Sequence, residues 1–146
     1  MVTRTLRLVL AGVWIGLIVG LGFIETPLKF LAPGVDLPIA LGIGRLVLTA
    51  ADIAGAVLLI AITVVSLLRP RLSRAGLITL GALWLVLIVQ VAIIRPLLNA
   101  RTDLILAGGD PGDSVLHVLY IAADLLLLAG LVVYVAFAAR RPAGAD

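Results

Sequence analysis

Cysteine is absent from the 146 residues, and charged side chains make up only 13% of them. Without cysteine there is no disulfide, no thiolate metal site and no dithiol redox chemistry. The scarcity of charge excludes more. Soluble domains carry roughly a quarter charged residues, and a short chain that is 63% hydrophobic lacks the polar surface to coat itself in water. Histidine occurs once, at His117, so bis-histidine haem ligation and a three-histidine zinc site within one chain are excluded. P-loops, GxSxG, HExxH and dinucleotide fingerprints are missing as well, and Gly42-Ile43-Gly44-Arg45 is too short to form a phosphate loop.

What is present is apolar sequence in long runs, with a mean hydropathy of +1.29. That composition identifies an integral membrane protein, and the length allows one bundle of about four spans. The net charge of +3 does not point to nucleic acid, because the basic residues stand at the ends of apolar runs. Residues 6–24 form the first run, interrupted only by Arg7 near its start, and measure roughly 28 Å as a helix. Gly-Phe-Ile-Glu-Thr-Pro offers no small-x-small cleavage site, so this run is expected to be a span and not a signal peptide.

Residues 25–38, ETPLKFLAPGVDLP, hold three prolines and three charges, which predicts the end of the first helix at Glu25. Leu28, Phe30 and Leu31 around Lys29 predict a short interfacial segment with the lysine snorkelling. A second helix can start at Pro38 and continue to Leu68, longer than the hydrocarbon requires. The basic turn RPRLSR (69–74) leads to a third span that Arg95-Pro96 is expected to stop. NARTDLILAGGDPGDS then reads as a loop, and Asp113-Ser114 as the cap of a fourth span that ends before Arg140-Arg141. The expectation is an all-α, four-helix transmembrane bundle occupying residues 1–146 as one domain, with spans near 6–24, 46–68, 75–94 and 115–139.

Lys and Arg set the orientation. Arg4, Arg7, Arg69, Arg71, Arg74, Arg140 and Arg141 share one side, against Lys29, Arg45, Arg95 and Arg101 on the other. Both termini are therefore expected in the cytoplasm of a multi-pass cell-membrane protein, the inner membrane of a bacterium.

Charge within a bilayer costs a few kcal/mol or more per residue, so each such group needs a partner or a role. Arg45, Thr49 and Asp52 fall on one helical face, as do Asp113, His117, Tyr120 and Asp124. Gln90 and Arg95, with Asn99 beyond, occupy the outer part of the third span, while Glu25 closes the first. Residues 8–20, 53–68, 75–89 and 125–139 contain no charged side chain. The polar groups are thus expected to converge on a cavity open to the non-cytoplasmic side above an apolar plug. Glu25, Lys29, Arg45, Thr49, Asp52, Gln90, Arg95, His117, Tyr120 and Asp124 are the candidate site. Arg45 and Arg95 would take an anionic group, with the carboxylates and His117 setting protonation and geometry. Simple pairing of Arg45, Asp52, His117 and Asp124 to hold the bundle is the competing structural explanation.

A metal set of Glu25, His117 and Asp124 has no recognisable ligand spacing, so no metal and no cofactor is expected. Gly12, Gly16 and Gly20 line one face of the first span, suited either to packing within the bundle or to a homo-oligomer contact. Trp14, Trp84 and Tyr134 are expected at packing or lipid-facing positions.

The stretch GFIETPLKFLAPGVDLPIALGIGRLV, with RPLLNARTD, AGG and SxxHxxYxxxD after it, resembles a family of small four-span bacterial membrane proteins of unknown function. More distantly, the first span and the proline-phenylalanine segment resemble the copper-resistance-D-like four-helix membrane families, which often use histidines that this chain lacks. The resemblance implies the bundle and the outer polar cluster. The function expected is recognition of a small molecule, a lipid or a partner protein at that cluster, with no nucleic acid involved. An oligomeric transporter coupled through Glu25 or Asp124, and a membrane-embedded enzyme using His117 on a lipid-like substrate, are the alternatives.

The absence of cysteine makes the orientation directly measurable. In intact cells a membrane-impermeant maleimide should modify Gly109→Cys and spare Ser73→Cys until the membrane is opened; the reverse pattern would invert the topology.

Overall fold

The computed structural model describes residues 2–68, 72–110 and 112–140. Within them, four helices are long and apolar enough to cross a membrane: α1 (Val2–Lys29), α2 (Leu37–Leu67), α3 (Arg74–Leu106) and α4 (Leu116–Ala139). Met1, the turn residues Arg69, Pro70 and Arg71, the loop residue Pro111 and the tail from Arg141 lie outside the described residues. α1 packs on α2 and α4, α4 on α3, and a lighter α2–α3 contact closes the ring. The chain is an all-α, multi-pass bundle.

Two prolines behave differently from the sequence expectation. α1 does not end at Glu25 but passes through Thr26-Pro27 to Lys29. α3 is not stopped at Arg95-Pro96 and continues to Leu106. In both helices a π-helical stretch precedes the proline, Ile18–Glu25 in α1 and Gln90–Ile94 in α3. A helical proline removes one N–H donor and collides with the carbonyl four residues back. A π turn hands each donor to the carbonyl five residues back, as the Arg95 N–H does to Gln90, and so changes that register. Each proline then falls in the first turn of the next α-helical segment, where a missing N–H is tolerated. The interfacial connection accordingly shortens to residues 30–36, with Phe30 and Leu31 exposed.

The remaining boundaries follow local chemistry. Asp36 Oδ1 accepts the Ile39 N–H at 2.9 Å and Ser73 Oγ the Gly76 N–H at 3.2 Å, one cap each for α2 and α3. Ser114 Oγ accepts the Leu116 N–H at 3.1 Å before α4. At the end of α3, Gly108 takes φ +82°, and the Gly109 and Gly108 N–H groups return to the Leu104 and Ile105 carbonyls. This is a Schellman ending, and it needs a residue without Cβ at the left-handed position.

At 1.5 Å per residue, 31-residue α2 and 33-residue α3 reach about 46 and 50 Å, against about 30 Å of hydrocarbon. Their surplus turns, at the start of α2 and the end of α3, project together at one end of the bundle. Below that end the core is apolar and interlocked, with Ala11, Trp14 and Ile18 from α1, Leu59 and Ile62 from α2, Leu80, Leu83 and Leu87 from α3, and Leu127, Leu131 and Tyr134 from α4. The three-and-four spacing on each helix is that of a bundle seam. Trp14 and Tyr134 are thus packing residues and not lipid-facing ones. Gly12, Gly16 and Gly20 take no part in this packing: a Cβ at each would meet nothing within 4 Å. Their face looks out of the bundle, so packing within it is not what they serve.

The opposite end holds a polar lock. Arg7, only 3% exposed, donates to the carbonyls of Val65 (3.1 Å), Ser66 (3.3 Å) and Leu68 (3.0 Å) at the end of α2. Arg4 donates to the Ala139 carbonyl at the end of α4. Helix C-termini carry unsatisfied carbonyls and partial negative charge, which a guanidinium satisfies together. Ser66 Oγ and Tyr134 Oη share a hydrogen bond of 2.6 Å beside it.

Removing the Arg7 guanidinium takes the donor from the Val65, Ser66 and Leu68 carbonyls, whereas Tyr134→Phe removes one neutral bond. Tyr134→Phe should destabilise by about 0.6–1 kcal/mol, and Arg7→Ala by clearly more, as ranked by thermal unfolding in detergent; equal effects would refute the capping role.

Candidate functional site

The candidate residues arise on all four helices at the end where the surplus turns project. Arg95 is the centre. It leaves α3 directly after the π stretch, and its side chain is only 7% exposed. Nε lies 3.2 Å from Asp52 Oδ2 on α2. Nη2 donates to the Arg45 carbonyl at 2.7 Å and to Thr49 Oγ1 at 2.8 Å. From α4, Tyr120 Oη donates to Asp52 Oδ1 at 2.8 Å and presents its ring 5.9 Å from the guanidinium. Asp52 is thereby held on both oxygens, and three helices meet through one ion pair.

Two further pairs flank this centre. Gln90 Nε2 on α3 donates to Asp124 Oδ1 on α4 at 2.7 Å. Because an ionised carboxylate only accepts, the amide nitrogen must face Asp124 and the amide oxygen must turn away. Arg45 Nη2 reaches Asp103 Oδ1 at 2.6 Å and the Asn99 carbonyl at 3.0 Å. On α1, Lys29 Nζ stands 3.5 Å from Glu25 Oε2 and 5.7 Å from the Phe30 ring centroid. Lys29 is able to lie inward because residue 44 is glycine: a Cβ there would come within 2.8 Å of Nζ.

The structure therefore brings nine of the ten candidates into pairs or bonds: Glu25 with Lys29, Arg45, Arg95, Asp52, Thr49 and Tyr120 in one network, and Gln90 with Asp124. His117 is the tenth; it is exposed on α4 and makes no hydrogen bond among the described residues. No group of three His, Asp or Glu among the described residues comes close enough to hold a metal, so Glu25, His117 and Asp124 do not form the trio the sequence allowed. In place of one open cavity, three small ones surround the network, and Leu48 lines all of them. One of about 30 Å³ lies against Trp14, Gly22, Asp52, Gln90 and Asp124. A second of about 60 Å³ lies between Thr26, Phe23, His117 and Asp124. The third, about 70 Å³, is bordered by Lys29, Phe30, Arg45, Arg95, Leu98 and His117.

Asn99 and Asp103 were not among the candidates, although both hold Arg45. Their signal is the spacing 95, 99, 103, one face of a continued helix, hidden by reading Pro96 as its end. Gly22 and Gly44, which admit Asp124 and Lys29 at close range, carry no sequence signal of their own.

A buried ion pair contributes little net stability compared with apolar packing, but removing one partner strands the other charge. Asp52→Leu and Arg95→Met should each destabilise the protein by about 3–5 kcal/mol, while the two together should lose much less than the sum. Additive losses in that double-mutant cycle would show that the pair is not coupled. The chain matches no family model, no curated protein and no solved structure, so the chemistry of this end of the bundle is read from its own geometry.

Proposed function

We propose that this protein is a non-enzymatic binding protein of a bacterial inner membrane that holds the anionic headgroup of an amphiphile at the outward end of its bundle. One observation carries the reading. The cavity of about 70 Å³ is bordered by Lys29, Arg45, Arg95 and His117 and by no carboxylate, with Phe30, Ala40, Leu41, Leu48 and Leu98 making the rest of its wall largely apolar. Four nitrogen-bearing side chains facing apolar surface match a phosphate or carboxylate carried on a hydrocarbon chain.

The charged groups are positioned for that task. Arg95 uses Nε and Nη2 on Asp52, Arg45 and Thr49, and its Nη1 takes no part in those bonds. The Lys29–Glu25 contact, at 3.5 Å, is long for a charge-assisted bond and leaves the ammonium free to turn to a stronger acceptor. Asp52, Asp103 and Glu25 hold the cations in place from behind, which keeps a cluster of like charge affordable in the absence of ligand. The interlocked apolar core beneath favours binding at this end over passage through the chain. With both termini in the cytoplasm, the pocket opens on the other side of the membrane.

The test is lipid retention by the purified full chain, measured by native mass spectrometry from mixed micelles. Phosphatidic acid and phosphatidylglycerol should be retained over phosphatidylcholine. Lys29→Ala should weaken that retention about tenfold, the loss of one charge-assisted bond. Equal retention of anionic and zwitterionic lipid, or no effect of Lys29→Ala, would reject the reading.

A further inference from the structure

The cavity of about 30 Å³ on the far side of the Arg95–Asp52 pair has the opposite chemistry. Its wall carries Asp52, Asp124 and Gln90, and no lysine, arginine or histidine. Two donors beside it are committed, Gln90 Nε2 to Asp124 Oδ1 and Tyr120 Oη to Asp52 Oδ1, and Arg95 Nε stands 3.2 Å from Asp52 Oδ2 as an ion-pair contact. The Trp14 indole lays its Nε1 edge against Gly55, where a Cβ would stand 3.0 Å away.

Two acceptors remain. Gln90 is 1% exposed, and its Oε1 is buried with no hydrogen-bond partner. Asp124 Oδ2 makes no hydrogen bond among the described residues and lies 3.4 Å from the place a Cβ on Gly22 would take. A buried, unpaired amide oxygen is expensive, and a native structure retains one where a guest completes it. Charge decides the kind of guest. Two carboxylates, Asp52 and Asp124, meet one guanidinium, Arg95, so the network has one negative charge in excess. An anion is excluded, and water satisfies the acceptors without balancing the charge. A divalent ion would overcompensate the single excess charge. Size restricts it further: a water-sized guest needs roughly 10–15 Å³, which leaves room for about two.

We propose that this cavity is a binding site for a monovalent alkali cation of sodium size, held by Asp124 Oδ2 and Gln90 Oε1 and completed by one water. Gly22 keeps the carboxylate face open, because any side chain there would cover Oδ2. The site is independent of the anionic-amphiphile pocket and stands or falls separately from it.

The experiment titrates the full-length protein in detergent with NaCl against choline chloride at constant ionic strength and pH. Trp14 lines the cavity, so its fluorescence and the thermal midpoint serve as readouts. Sodium and lithium should produce a saturable fluorescence change and a higher midpoint, with potassium at least tenfold weaker. Asp124→Asn should abolish the response while retaining anionic lipid as the unmodified chain does, and Gln90→Leu should weaken it tenfold or more. Gly22→Ala adds a methyl at ordinary contact distance and tests the same point without altering the network, so it decides the matter if Asp124→Asn fails to fold. No sodium-specific response in the unmodified chain, or a response undiminished in Asp124→Asn or Gly22→Ala, would show that the cavity holds ordered water only.

Discussion

The Arg95–Asp52 pair is the constraint around which one half of this molecule is arranged. Its side chains are 7% and 10% exposed, so neither charge is relieved by solvent. A charge withdrawn from water at this depth must be met by fixed partners. Three helices supply them. α3 delivers the guanidinium, α2 the carboxylate with the Arg45 carbonyl and Thr49 hydroxyl, and α4 the Tyr120 hydroxyl. Each bond restricts where one helix stands relative to another, a function that dispersion between apolar faces performs poorly in lipid, where the hydrophobic drive is absent.

The two π stretches belong to the same arrangement. Gln90 opens the one in α3 and Glu25 closes the one in α1, and each is followed by a proline that an unbroken α-helix would tolerate poorly. A π turn rotates everything after it relative to everything before. In α3 the apolar residues that face the core before the turn are followed by Arg95, Asn99 and Asp103 facing α2 after it. The same helix thus serves a dry seam below and a charged seam above. At the other end, Arg4 and Arg7 close the C-termini of α4 and α2 through carbonyl bonds, so the residues that argue for orientation by their charge also tie three helices together.

Much of this was legible in the sequence, and the physical reason is the bilayer. Four apolar runs, the uncharged half of each, and the gathering of Arg45, Asp52, Gln90, Arg95, Tyr120 and Asp124 at one level follow from periodicity and hydrophobic length, which lipid enforces strictly. The local cap at Ser114 was also readable from the residue types. Less accessible were effects set by neighbours. Pro27 and Pro96 read as helix ends because the π turns that absorb them depend on packing between helices. Arg7 read as a topology signal because nothing in its vicinity announces that the end of α2 folds back to it. Gly12, Gly16 and Gly20 read as a face for packing within the bundle or for a homo-oligomer contact, whereas the approaches between helices include those at Gly22, Gly44, Gly55 and Gly130, which show no regular spacing. Which glycine is approached depends on the partner's side chain, Asp124, Lys29, Trp14 or Leu83, and that information is not local.

Pairing alone accounts for only part of the polar cluster. A purely structural network ends when every buried group has a partner, as the Arg7 and Ser66–Tyr134 lock does at the opposite end. The network around Arg95 does not end that way. Gln90 Oε1 is buried without a partner, the ion pair divides the space beside it into one cavity bordered by cations and another bordered by carboxylates, Gly44 leaves room for Lys29 where a methyl would intrude, and Gly22 leaves Asp124 Oδ2 uncovered. Arg95 and Asp52 thus separate two regions of opposite potential within one turn of helix. In a medium of low dielectric such a separation is costly when empty and favourable when each side is occupied by its counter-charge. That asymmetry between the two ends of the same bundle is the physical ground for assigning ligands to the end that carries Arg95.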